Sequence, residues 1–253
     1  MTIQAWDEHR GRVRVLVFQR PEKKNALTVA MYAALATELE RAATTAAVRA
    51  VVLTGAGGTF TAGNDIQDFI AQPPVTDDSA VVRFLLTLLR FPKPVIAAVP
   101  GAAIGVGATM LLHCDRVIAA RSARFQLPFV KLGLCPEGGS SLLLPQIIGL
   151  QRASELLLWG EPFDADTAQR IGLINEVVPD DGLHARLEDA LLRIIQLAPE
   201  AVMASKALLR APLYARVEEA MHREAEKFRE RLASEEAAEA FQAFVEKRKP
   251  RFA

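Results

Sequence analysis

"VIAAVPGAAIGVGATMLLHC", residues 95–114, changes character twice within a short span. Residues 95–99 form a continuous apolar run, the pattern of a strand covered on both faces rather than one alternating between core and solvent. Pro100 and Gly101 end it. Gly105 and Gly107 then lead into an apolar segment, "ATMLLHC", that reads as helix. The same order, a buried strand, a glycine-rich turn and then a helix, recurs upstream. "RAVVLTG" (49–55) runs into "GAGGTFTAGND" (55–65) and a short helical stretch. Repetition of this unit with short crossovers predicts an α/β fold, with a spiral of ββα units as its natural form.

Outward from these units the reading continues. "VRVLVFQ" (13–19) reads as a strand, and Thr28 is placed to cap a helix carrying Tyr32, Leu35, Ala36 and Leu39 on one face. "TDDSAVVRFLLTLLR" (76–90) has acids at its start and arginine at its end, as the helix macrodipole favours. "DRVIAA" and "ARFQL" supply two further short strands. From about Gly149 the chain is mostly helical, interrupted by "GLINEVVP" (172–179), and residues 217–232 and 234–249 are amphipathic and charge-laced. No linker divides the chain, so these helices are expected to pack on the α/β core or on a neighbouring subunit. The expected division is a core over residues 1–195 and a helical region over 196–253.

Composition excludes several functions. The 253 residues carry 30 basic and 30 acidic side chains, so no overall field favours nucleic acid or an anionic membrane. No apolar run is long enough to span a bilayer, and the start lacks the apolar stretch of a signal peptide. The terminal "PRFA" is not a peroxisomal address. A cytoplasmic protein is therefore expected. Cys114 and Cys135 lack the spacing of a metal site or redox pair and read as buried thiols. No metal site is expected. Gly105-Val-Gly107 falls short of a dinucleotide fingerprint because position 110 is Met. There is no P-loop, no HExxH and no GxSxG. His113, in an apolar helix, reads as a core histidine, and Lys206 in "MASKALLR" as a solvated helix-face lysine.

Two features bear on chemistry. The turns "FTAGND" (60–65) and "AAIGVGATM" (102–110) each follow a buried strand and enter a helix. The amides of Asn64 and Val106 would form an oxyanion hole if they point at one spot; equally, the glycines would serve only tight packing. In "KLGLCPEGGSS" (131–141), Glu137 sits between a proline and two glycines, and is either a first-turn acid of the following helix or a base in a dry pocket. A helix N-terminus would lower its pKa and burial would raise it.

"RPEKKNALT", "FTAGNDIQDF", "PGAAIGVGATMLLHCD", "LGLCPEGGSS", "GLINEVVP" and "AFVEKRKPRF" occur in that order, and together they resemble the crotonase (enoyl-CoA hydratase/isomerase) superfamily over essentially the whole chain. The resemblance implies the ββα spiral, a homotrimer or dimer of trimers, an acyl-CoA substrate and an enolate held by the amides of Asn64 and Val106. Coenzyme A would be part of the substrate, with no separate cofactor. Residues Ala62, Gly63, Asn64, Asp65 and Ile66, with Gly105, would line the acyl-CoA site, Asp65 as a structural acid at the turn. Lys23 and Lys24 are candidate partners for CoA phosphates, with solvated loop lysines as the alternative. Phe244 and Lys247 match positions that in relatives reach the CoA of the neighbouring subunit. Where hydratases of the family carry two glutamates, this chain has Thr109 and Phe129, and its "PEGG" acid is similar to that of Δ3,Δ2-enoyl-CoA isomerases. The resemblance therefore implies a 3-enoyl-CoA to 2-trans-enoyl-CoA isomerase of fatty acid metabolism with Glu137 as its base. A hydratase of the same superfamily and a non-catalytic acyl-CoA-binding protein are the alternatives. Leu127, Phe129, Leu132 and Leu134 are expected to keep water from the site.

Overall fold

The computed structural model describes residues 3–72 and 79–252. Among these, six strands form one sheet in the order β1 (Ile3–Glu8), β2 (Val13–Phe18), β3 (Ala50–Gly55), β4 (Val95–Val99), β6 (Arg116–Ala120) and β9 (Glu176–Val178). Only the β1–β2 pair is antiparallel. A second sheet joins β5 (Ala103–Ile104), β7 (Arg124–Gln126) and β8 (Phe163–Asp164). The continuously apolar strands are buried on both faces, as their sequence requires. Val51 and Leu53 join the main core with the helix α1 (Val29–Thr44), while Val52 turns to Leu191 and Ile195 at the end of α8 (Leu183–Ile194).

Thr28 caps α1 by accepting the Met31 amide, and Tyr32, Leu35, Ala36 and Leu39 are all buried on that helix. The expected helix over 76–90 is present as α3 (Ala80–Leu89), capped by Ser79; its anticipated acidic start, residues 76–78, lies outside the described residues. Between β3 and α3 lies the short α2 (Ile66–Ala71). The apolar segment after Gly105 is shorter than a regular helix: α4 (Val106–Thr109) tightens at once into a 3-10 turn over Met110–His113. β1 was not anticipated, because only Ile3 of its six residues is buried and it offers no apolar run.

After α5 (Ser140–Ile148), α6 (Leu150–Trp159), α7 (Ala165–Arg170) and α8, the chain ends in α9 (Pro199–Leu232) and α10 (Glu235–Val245). α9 begins well before position 217 and runs through Pro212. Proline removes one helical hydrogen bond. Here the carbonyl it would have served is that of Leu208, a residue 80% exposed, so water can take the place of the missing donor. No helix among the described residues is long and apolar enough to cross a membrane.

Lys206 is not solvated. Its side chain is 7% exposed and its ammonium donates to the Lys93 carbonyl at 2.7 Å and to Asp115 Oδ2 at 2.6 Å, with the Phe91 ring beneath it. Arg210 donates to the carbonyls of Leu112 and Cys114. Together they fix α9 to the strand ends around Asp115. Replacing Lys206 with methionine removes the principal partner of a half-buried carboxylate. Lys206→Met is expected to lower unfolding free energy by roughly 2–3 kcal/mol in urea titration at neutral pH, against about 0.5 kcal/mol for a surface lysine.

Candidate active site

The loop from Gly55 to Asp65 is tied down from below by Asn25, which is fully buried at φ +55°. Its Nδ2 donates to the carbonyls of Ala56 and Thr59 at 2.8 and 2.7 Å, and its Oδ1 accepts the Arg20 amide. Thr61 continues the network: its hydroxyl donates to the Asn25 carbonyl at 2.7 Å, and the Gly63 amide donates to Thr61 Oγ1. Within "KKNALT", a buried asparagine in left-handed backbone is what anchors the loop.

Thr61 also joins this loop to the second glycine turn. Its amide donates to the Ala102 carbonyl, and its carbonyl accepts the Ile104 amide at 3.0 Å. The contact is close enough that a Cβ on Gly107 would lie 2.5 Å from Thr61 Cγ2. Neither the Asn64 nor the Val106 amide donates to a backbone carbonyl among the described residues. Asp65 caps α2, accepting the amides of Gln67 and Asp68 and the Arg20 guanidinium, which holds its carboxyl below the usual range despite partial burial.

Asn64 of the first loop lines a cavity of about 610 Å3 of empty space, counting its open mouth; Gly105 and Val106 of the second turn are not among its lining residues. Phe69, Val81, Leu85, Met221 and Phe228 give it apolar walls, and Asn64, Glu137 and His222 are its side chains able to hydrogen-bond. Phe69 and Phe228 meet edge to face, centroids 5.9 Å apart, joining α2 to α9 at its wall. Leu127, Phe129, Leu132 and Leu134 do not line it; they belong to or pack on the hydrophobic core, and the drying walls come from α2, α3 and α9 instead.

Glu137 is partly exposed to this cavity and otherwise enclosed by protein. Burial outweighs every other influence on it. Desolvation raises its pKa to about 7, opposed by the hydrogen bond from the Thr109 hydroxyl and reinforced by the nearby Glu224 carboxylate. Tyr32 is buried near it and donates to Asn64 Oδ1 at 2.5 Å, while burial and the Glu137 charge raise the phenol well above its ordinary pKa. His113, buried as expected, places Nε2 2.7 Å from the Gly138 carbonyl. Burial lowers its pKa to about 4, so Nε2–H of the neutral ring is the donor.

Glu224 was invisible as anything but one more helix charge. It is 7% exposed, and its two oxygens accept the amides of Gly139 at 2.6 Å and Ser141 at 2.8 Å, capping α5 from another helix. The available signal was its position: Val217, Met221 and Phe228 form the buried stripe of α9, and Glu224 lies on that stripe.

Of the anticipated residues, Asn64 and Glu137 line one cavity. Ala62, Gly63, Asp65 and Ile66 flank Asn64 in sequence, and Gly105 and Val106 form the second turn, Gly105 capping α4 and donating its amide to the Gln126 carbonyl. Lys23 and Lys24 are exposed near the first loop. Phe244, 60% exposed, and Lys247 are not brought to the cavity within this chain.

The chain belongs to the enoyl-CoA hydratase/isomerase family, whose model matches residues 8–253. The fold is the crotonase fold, and the superfamily resemblance carried by the motifs holds. A crystal structure of an enoyl-CoA hydratase/isomerase from Pseudoalteromonas atlantica T6c superposes with a TM-score of 0.94, at 45% identity and 100% coverage of both chains. Enoyl-CoA delta isomerase 2 of Rattus norvegicus is 35% identical over 247 residues, covering 95% of this chain; the match spans 63% of that relative's length. The 2,3-dehydroadipyl-CoA hydratase of Escherichia coli strain K12 is 36% identical, with 95% of each chain covered.

The raised pKa of Glu137 has a consequence for stability. Its folded value of about 7 lies above the ordinary 4.5, so the folded state binds a proton that the unfolded chain releases in that window. That contribution is complete below about pH 4.5 and is lost as pH rises through about 7. Glu137→Gln is therefore expected to match the parent near pH 4.5 and to exceed it by about 2–3 kcal/mol at pH 8 in urea titrations.

Proposed function

We propose that this chain shifts the double bond of a 3-enoyl-CoA to the 2-trans position, with Glu137 carrying the proton. The observation that supports it most is that Glu137 is the one carboxylate lining the cavity among the described residues. Hydration needs one group to activate water and another to deliver a proton. Thr109 occupies one expected hydratase position, its hydroxyl donating to Glu137, while Phe129 occupies the other, away from the cavity. Glu224, the other acid close by, has both oxygens committed to amides.

In this reading the thioester oxygen accepts the amides of Asn64 and Val106, and residues 62–66 with Gly105 shape that end of the site. Ionised Glu137 removes a proton from the carbon between the carbonyl and the 3,4 double bond. The resulting dienolate spreads its charge onto the thioester oxygen, where two fixed donors stabilise it; loss of one such donor costs roughly 3–4 kcal/mol of barrier. Glu137 then returns the proton at the γ carbon, leaving the double bond conjugated. A pKa of about 7 suits one group that must act first as base and then as acid near neutrality. The Thr109 hydroxyl fixes one oxygen of that carboxylate, and apolar walls from α2, α3 and α9 limit water that would intercept the dienolate. Lys23 would bind CoA phosphate, and Phe244 and Lys247 would complete the CoA site of a neighbouring subunit in a trimer or dimer of trimers.

The second reading is hydration of a 2-enoyl-CoA, favoured by the name of the Escherichia coli relative. Product analysis with 3-hexenoyl-CoA beside crotonyl-CoA separates the two. The isomerase reading expects 2-trans-hexenoyl-CoA from the first and little hydration of the second; crotonyl-CoA hydration at a comparable rate would overturn it. Glu137→Gln is expected to lower isomerisation roughly 10²–10⁴-fold with the fold retained by circular dichroism.

A further inference from the structure

Glu224 sits on a different helix from Glu137, faces the same short loop, and takes no part in the proton transfer above. We propose that Glu224 is a positioning residue for Glu137, clamping the loop that carries it and opposing its negative charge with a second one. The inference rests on Glu137 being the proton-transfer base.

The geometry is specific. A carboxylate on the buried stripe of α9 accepts the amides of Gly139 and Ser141, the second and fourth residues after Glu137. Gly139 has φ +76°, and a Cβ there would lie 2.8 Å from Val217 Cγ1 of the same helix, so loop and helix are in direct contact. Asparagine or serine caps are the ordinary choice for a helix N-terminus. An acid supplied from a remote helix adds a full charge beside a site that has one already. Such an arrangement costs stability and is explained if the charge acts on Glu137. Burial raises the Glu224 carboxyl too, but two amide donors and the Arg223 guanidinium oppose that rise, against the one hydroxyl that Glu137 receives.

The groups facing the pair are few. Toward Glu137 they are Thr109, the buried Tyr32 phenol and, across the cavity, Asn64 and His222, with His113 on the Gly138 carbonyl. Toward Glu224 they are Ser141, the Arg223 guanidinium and the Cys135 thiol, which burial and Glu224 push up to about 11, so it stays protonated. None of these supplies a second negative charge to Glu137 in the range where Glu137 titrates.

Removing the Glu224 charge makes Glu137 easier to ionise and a weaker base. The test is the pH profile of kcat/KM for the parent, Glu224→Gln and Glu137→Gln, with whichever of 3-hexenoyl-CoA and crotonyl-CoA is turned over. Glu224→Gln is expected to move the acidic limb down by about half a pH unit or more, with a lower plateau. A merely structural cap would lower thermal stability and leave the limb in place, and a limb coinciding with the parent's overturns the proposal. If Glu224→Gln does not fold, Glu224→Asp withdraws the charge by one methylene and must move the limb in the same sense. Infrared titration of the Glu137 carboxyl, taken as a difference against Glu137→Gln in each background, reads the same shift without turnover. Full activity in Glu137→Gln would instead remove the base assignment and leave the carboxyl titration to decide the pairing alone.

Discussion

Two carboxylates share one short loop, and most of the site follows from the need to hold them there. A buried charge is tolerated only when paired or well hydrogen-bonded. Neither Glu137 nor Glu224 has a salt-bridge partner among the described residues, so dipoles must serve. The Gly139 and Ser141 amides, the free donors of the first turn of α5, serve Glu224. The Thr109 hydroxyl serves Glu137. The donors are fewer on the second acid: burial raises both carboxyls, two amides and the Arg223 guanidinium pull Glu224 back, and Glu137, with one hydroxyl, reaches about 7.

The opposite wall is built from neutral parts. Asn25 and Thr61 join the first glycine loop to the 20–27 loop, and Thr61 joins it again to the second glycine turn. The Asn64 and Val106 amides are thereby left without a backbone acceptor among the described residues, and Asn64 lines the apolar cavity. Preorganisation of this kind needs no rearrangement when charge develops on a ligand. Tyr32, buried and donating to Asn64, ties the wall to α1 and so to the centre of the main sheet.

Much of this was legible in the residues. The buried strands announced themselves by unbroken apolar runs, and Thr28 with its 3–4 spaced apolar face announced α1. Glu137 stood out because proline and glycines isolate it within apolar sequence. What stayed hidden has physical causes. β1 is an edge strand with one buried residue, so it lacks the alternation that marks strands. Lys206 and Glu224 look like their solvated neighbours because burial on a long helix depends on what lies opposite, and those partners are Asp115 and the 139–141 loop, far away in sequence. The balance of opposing influences on Glu137 was likewise out of reach, since desolvation depends on walls contributed by α2, α3 and α9.

The attachment of α9 at two points, Lys206 on Asp115 and Glu224 on the amides after Glu137, sets an order on events during synthesis. The ribosome releases Glu137 well before Glu224. Until the later segment has emerged and docked, the Gly139 and Ser141 amides lack the acceptor that α9 brings, and the cavity beside Glu137 lacks its α9 wall. A nascent chain can thus pair its parallel strands early and still lack the closed pocket around Glu137, which is completed only when the last long helix is laid across it.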